Sequence, residues 1–226
     1  MNDKRIFTDE ELKEMGTPTL ELIKAAVDSG EKERAKALAA RLQSEIGHLH
    51  DGYMVWVSGL LSYIYKNYGI DAVEEAEKEA HGIEGRTVFK SSGKTDLRSM
   101  VEEMASGLRG HMQPIVIKED DEKFTLTMKP CGSGERLIEM GLYEPEIGLA
   151  KVKERHHATW GMKDFPIYCV HCPVMEMLTI EATGKMGAAH IVSEPKEFGE
   201  CHFAIYKNPD DIPEEYYDRI GKTKPE

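Results

Sequence analysis

The spacing of apolar residues changes at His111, and that change constrains the fold more than any other feature of the chain. Before it, apolar side chains recur at three and four positions. Leu20, Leu22, Ile23, Ala26 and Val27 form one such stripe, and Leu38, Leu42, Leu49, Trp56, Leu60 and Ile64 form a longer one. That period belongs to the α-helix. After it, Phe124-Thr125-Leu126-Thr127-Met128 alternates with period two, the signature of a half-buried strand. The expectation is an α+β protein: a helical N-terminal half, then a small antiparallel sheet packed with helices.

Local signals place the elements. Thr8-Asp9-Glu10-Glu11 is a capping box, and Thr17-Pro18 is a second start signal. Ser29-Gly30 ends one helix and Gly69 the next. Gly47, Gly52 and Gly59 weaken the long segment 31–68, so a bend near Gly52 is expected. Further helices are expected from Asp71 to Ala80 and from Thr95 to Leu108. In the second half, residues 114–118 and 123–129 read as a hairpin across the acidic turn Glu119–Glu122. Residues 146–158 read as helical, Pro166–Cys172 as extended or turn-like, and Val174–Thr183 as a helix stopped by Gly184. Ala188–Glu194 and Cys201–Tyr206 read as a second hairpin, and the C-terminal prolines as a surface wrap. Gly85 and Ser91-Ser92-Gly93 suggest two domains, a helical 1–90 and an α+β 91–226 that carries the cysteine and histidine chemistry.

Charge narrows the function classes. The 226 residues hold 29 Lys plus Arg against 41 Asp plus Glu, a formal net charge of −12. Phosphate backbones require a basic face, so nucleic acid is not the expected partner. No apolar stretch approaches the roughly 20 residues that span a bilayer, so no membrane partner is expected. The first residues lead into acidic helical sequence rather than an apolar leader, which points to a cytoplasmic protein. Four cysteines are too few for a disulfide scaffold and read instead as metal ligands, reactive thiols or buried small residues.

Tyr168-Cys169-Val170-His171-Cys172 carries the strongest chemical signal. Two thiolates at this spacing can hold one metal ion. Cys201-His202 on the last expected strand could complete the set, giving Cys169, Cys172, Cys201 and His202 as ligands for zinc or another transition metal; His190 on the neighbouring strand is a further donor. Two of these cysteines could equally be buried small residues. Cys131 offers a second chemistry. It stands in Pro130-Cys131-Gly132-Ser133-Gly134-Glu135-Arg136, where a helix start favours a thiolate and glycine amides could stabilise an oxyanion. Arg136 could grip a substrate carboxylate, and His111 and His171 could move protons. The loop lacks the Gly-Lys-Ser/Thr ending of a nucleotide-binding loop. Glu45 and His48 share a helical face, but a di-iron centre needs two such pairs plus further glutamates on other helices, and a helix-surface or capping histidine is the better reading. A dithiol redox role for Cys169 and Cys172 ranks last, because the flanking βαβ pattern is missing.

The last third has a layout worth naming: Cys169 and Cys172 before a helix, Glu194 at a strand end, then Gly199-Glu200-Cys201-His202-Phe203. It resembles the L-2-amino-thiazoline-4-carboxylate hydrolase-like family, and its layout is similar to the 4-vinyl reductase-type small-molecule-binding domain. The resemblance implies that Cys169, Cys172 and Cys201 belong to one site, and that the chemistry is hydrolysis of a small cyclic C–N compound. That family tends to have an aspartate where this chain has Cys172. The expected function is therefore a small-molecule hydrolase, metal- or cysteine-dependent, acting on a carboxylated or aromatic compound. The alternative is a metal-containing small-molecule-binding module without turnover. A homo-oligomer would form through the helical half.

Overall fold

The computed structural model describes residues 6–87, 96–192 and 201–225. The chain divides into two compact units, Met1–Gly52 and Tyr53–Glu226. The expected boundary at residue 90 lies outside the described residues.

The first unit contains helices α1 (Asp9–Met15) and α2 (Thr19–Asp28) and the start of α3 (Lys32–Tyr68). The capping box forms: Thr8 N–H donates to Glu11 Oε2 at 2.8 Å, and Glu11 N–H donates to Thr8 Oγ1 at 3.2 Å. Pro18, rather than Thr17, occupies the cap position of α2. The Thr19 hydroxyl donates across to Glu45 at 2.7 Å, and Ala26 and Leu38 are buried.

Helix α3 runs without interruption through Gly52, where a bend was expected. A glycine costs a helix only about 1 kcal/mol relative to alanine. Propagation on both sides is cooperative, so that penalty does not break it.

The second unit takes up the rest of α3, then α4 (Ile70–Thr87) and α5 (Leu97–Gly110), the last capped by the Asp96 side chain on Ser99 N–H. Strands β1 (Ile115–Glu119) and β2 (Lys123–Met128) form the first hairpin. After them come α6 (Gly134–Glu139), the short strands β3 (Lys151–Val152) and β4 (Phe165–Pro166), and α7 (His171–Thr183). Strands β5 (Ala189–Ile191) and β6 (Cys201–Tyr206) and helix α8 (Glu214–Asp218) follow. The main sheet is antiparallel throughout with order β1-β2-β6-β5. This is the expected α+β architecture. No helix among the described residues is long and apolar enough to cross a membrane.

Two differences from the sequence expectation bear on the site. Residues 146–158 are not a helix. Ala150 and Val152 are buried while Leu149 and Lys151 are only partly so, which is strand alternation. Long-range bonds complete the strand: Ala150 N–H donates to Ser62 Oγ at 2.9 Å, and Ile167 N–H to the Ala150 carbonyl at 3.1 Å. The C-terminal segment also does more than wrap the surface. Ile212, Tyr217 and Ile220 are each about 1% exposed and belong to the main core with Trp160, Phe165, Val174 and Met177.

The glycine-rich loop sits where side chains have no room. A Cβ on Gly132 would lie 2.5 Å from Gln113 Oε1 and 2.7 Å from the His111 carbonyl oxygen. Gly132→Ala is expected to cost roughly 1–3 kcal/mol of stability, as overpacking does, read as a lower urea midpoint with an unchanged slope.

Candidate functional site

The N-terminus of α7 and the edge strand β5 build the most chemically complete group among the described residues. Cys172 is the second residue of α7, in the first turn where negative charge is favoured. Glu176 stands four residues on, on the same helical face. Its carboxylate is almost fully buried, yet it is saturated with donors. His190 backbone N–H reaches Oε1 at 2.7 Å, His190 Nδ1 at 2.9 Å and Arg219 at 3.0 Å, while Trp160 Nε1 donates to Oε2 at 2.7 Å. Burial works to raise the pKa of Glu176, but these partners, His190 first, hold it below the ordinary carboxylate value.

Glu176 fixes the imidazole of His190. An ionised carboxylate only accepts, so Nδ1 carries a proton, and in the neutral imidazole Nε2 keeps its lone pair. Nε2 is buried and meets no protein atom in hydrogen-bond geometry. The thiol beside this ring is Cys172. Burial pushes the His190 pKa down, but Cys172 and Glu176 together outweigh it and hold it above the ordinary value. Trp160 and Phe203 pack on the ring with centroids 4.9 and 4.0 Å away. The arrangement is thiol, base and orienting carboxylate, which is the logic of an activated nucleophile.

A second imidazole touches the same sulfur. His171 Nε2 lies 3.3 Å from Cys172 Sγ. Its Nδ1 is 2.6 Å from the Tyr168 carbonyl, which can only accept, so here too the proton is on Nδ1 and Nε2 faces the thiol as an acceptor.

The other residues expected from the sequence form a separate neighbourhood. Cys131 sits beside Cys201 and Ser133, with Sγ 3.7 Å from Ser133 Oγ. Its thiol is held well below the ordinary value, first by hydrogen bonding with Cys201 and then by the Ser133 and Glu135 groups, against the opposing effect of burial. The loop amides expected to serve an external oxyanion are thus turned on Cys131 itself, and the Cys131 amide donates to Glu135 Oε2 at 2.8 Å. His111 lies against this loop at Gly132. Arg136 is exposed on α6. Cys169 is buried, with its sulfur where a side chain on Gly134 would have to go. Tyr168 lies between the two neighbourhoods: burial raises its pKa, Ser133 hydrogen-bonds it, and it senses Cys172, Cys169 and Cys131.

Cys201 and His202 are adjacent on β6, so they project from opposite faces of the sheet. His202 Nδ1 is 2.8 Å from Thr127 Oγ1, whereas Cys201 turns to Cys131. Among the described residues, Cys169, Cys172, Cys201 and His202 do not form a group with three ligand atoms within 4.8 Å of one another; Glu74, His156 and His157 do.

His190 entered the sequence reading only as a spare metal donor, and Glu176 was missed. Cys172-x-x-x-Glu176 was available as a same-face pair on an expected helix. Comparison with protein-family models, with curated proteins and with solved structures found no match.

The buried cluster makes stability pH-dependent in two directions. Glu176 has a lowered folded pKa, so its contribution is complete above 4.5 and is lost as pH falls through the folded value. His190 has a raised folded pKa, so its contribution is complete below 6.5 and is lost as pH rises through the folded value. Glu176→Gln is expected to cost roughly 3–5 kcal/mol, as breaking a buried pair does. The loss, read by urea denaturation, should be greatest between pH 4.5 and 6.5.

Proposed function

We propose that this chain is a thiol-dependent hydrolase of a small molecule, with Cys172 as nucleophile, His190 as general base and Glu176 as the positioning residue. The observation that supports this reading is the buried Nε2 of His190, without a hydrogen-bond partner and beside a thiol, with Nδ1 locked by a saturated carboxylate. The substrate class, a cyclic C–N compound carrying a carboxylate or an aromatic group, comes from the resemblance in residues 169–203.

The residues support the following course. The Cys172 proton passes to His190 Nε2 as sulfur attacks the electrophilic carbon bonded to the ring nitrogen. The resulting imidazolium is stabilised by Glu176 and returns its proton to the departing nitrogen, which opens the ring. A water molecule, deprotonated by the same imidazole, then attacks the carbon now bonded to sulfur; the C–S bond breaks and the sulfur takes back the proton from the imidazolium. His171 offers a second acceptor against the same sulfur and steers its proton during the first step.

Ring opening of a panel of small cyclic amides, amidines and thiazoline carboxylates, followed by mass spectrometry, tests this. Cys172→Ser should abolish turnover, and His190→Gln should reduce kcat by about 10²–10⁴-fold. Iodoacetamide should inactivate the enzyme, and a chelator should leave it active. Turnover that survives Cys172→Ser but not Cys131→Ser would move the nucleophile to Cys131. Turnover lost to the chelator would favour a metal mechanism. Stoichiometric binding without any ring opening would favour the binding module.

A further inference from the structure

A second cluster in the same unit is independent of the cysteines. Asp71 and Glu74 project from one turn of α4, and His156 and His157 meet them from the 3₁₀ turn His157–Thr159 and the residue that caps it. Glu74, His156 and His157 each place a ligand atom within 4.8 Å of the others. His157 Nε2 contacts Glu74 Oε2 directly. His156 Nδ1 lies 3.9 Å from the same oxygen. The other carboxylate oxygen, Oε1, is held by Lys78 at 2.9 Å, which leaves Oε2 pointing at the two rings.

We propose that Glu74, His156 and His157 form a binding site for one divalent transition-metal ion of the zinc class, with Asp71 as its outer-sphere carboxylate.

Tautomer chemistry supports the assignment. His156 Nε2 is 3.0 Å from Asp71 Oδ1, an acceptor, so its proton is on Nε2. Nδ1 therefore presents a lone pair, which accepts from the Ala158 N–H at 3.1 Å and lies 3.9 Å from Glu74 Oε2, the oxygen that His157 Nε2 contacts. A carboxylate gripping the far N–H of a ligating imidazole is the usual arrangement behind histidine ligands. Two imidazoles and one carboxylate are a donor set that zinc takes, leaving one position for water.

Binding has definite local consequences. Ligands about 2.0–2.2 Å from a tetrahedral zinc stand roughly 3.3–3.6 Å apart, so the ion draws His156 Nδ1 in from 3.9 Å and parts His157 Nε2 from Glu74 Oε2. The Ala158 N–H, which now donates to His156 Nδ1 at 3.1 Å, gives up that bond. His157 moves its proton from Nε2 to Nδ1. The ion then cross-links α4 to the 3₁₀ turn. The site does not rest on the proposed hydrolase activity and does not use Cys172 or His190.

The purified full chain is titrated with Zn²⁺ by calorimetry and with Co²⁺ by absorption. The expected result is one equivalent bound, with weak visible bands from nitrogen and oxygen ligands and no near-ultraviolet sulfur-to-cobalt band at that first equivalent. His157→Ala should weaken Zn²⁺ binding more than tenfold. Asp71→Asn should weaken it by roughly 10–100-fold, the usual effect of losing a ligand's carboxylate partner. Asp71 is 89% exposed and His157 41%, so both variants should fold, which circular dichroism checks; Tm of the wild type should rise with Zn²⁺ concentration. Three results would overturn the site: no binding to wild type, affinity unchanged in both variants, or a thiolate band at the first equivalent. The last would place the metal on the cysteines.

Discussion

The carboxylate of Glu176 holds the second unit together. A buried anion is costly unless its lone pairs are filled and its charge is countered. Here the filling groups come from three distant places: the indole of Trp160, the backbone and ring of His190, and the guanidinium of Arg219. Arg219 also lies over the faces of Trp160 and Tyr216 at 5.0 and 4.6 Å. Any fold that buries Glu176 must therefore bring α7, β5, the turn between the short strands β3 and β4 and the C-terminal segment to one point. That requirement sets the edge strand against the helix, and in doing so sets His190 beside Cys172. The element that stabilises the unit is the one that orients the candidate base.

Two groups of thiols follow from this arrangement rather than one. The Cys131 and Cys201 pair sits among the residues packed with Leu126, Met128 and Ile205, whereas Cys169 and Cys172 belong with the core around Val174 and Met177. Tyr168 lies between them. The two groups differ in what they offer chemically. Cys131 is stabilised by groups of its own loop and by its neighbour Cys201, whereas Cys172 faces imidazoles whose lone pairs are directed at it.

Much of the architecture was legible in the sequence, because local pattern decides local structure. Thr8 and Glu11 announced their capping box, and alternation in Phe124–Met128 announced the first hairpin. Gly184, at φ +78°, ends α7 where the sequence placed its stop. The strand at Lys151–Val152 was hidden. Its pairing partners, Phe165 and Pro166, lie more than ten positions on, and a short charged segment carries no decisive period. The site was legible only in part. Cys172 was visible as a reactive residue type and the 172/176 spacing as a same-face pair, but the arrangement depends on His190 and Arg219 meeting Glu176, which no short-range spacing encodes. The pairing of Cys201 with Cys131 rather than with His202's surroundings follows from strand alternation once β6 is placed, and alternation could have warned against using neighbours on a strand as joint ligands.

The position of Arg219 has a temporal implication. A chain emerging from the ribosome as far as Tyr206 already contains the thiol, the imidazole and the carboxylate. It still lacks the guanidinium that balances the buried charge and the apolar side chains of Ile212, Tyr217 and Ile220 that seal it. Burial of the Glu176 carboxylate with its full set of partners must await synthesis of that segment, so the candidate base and thiol are brought into register only once the whole unit has been made.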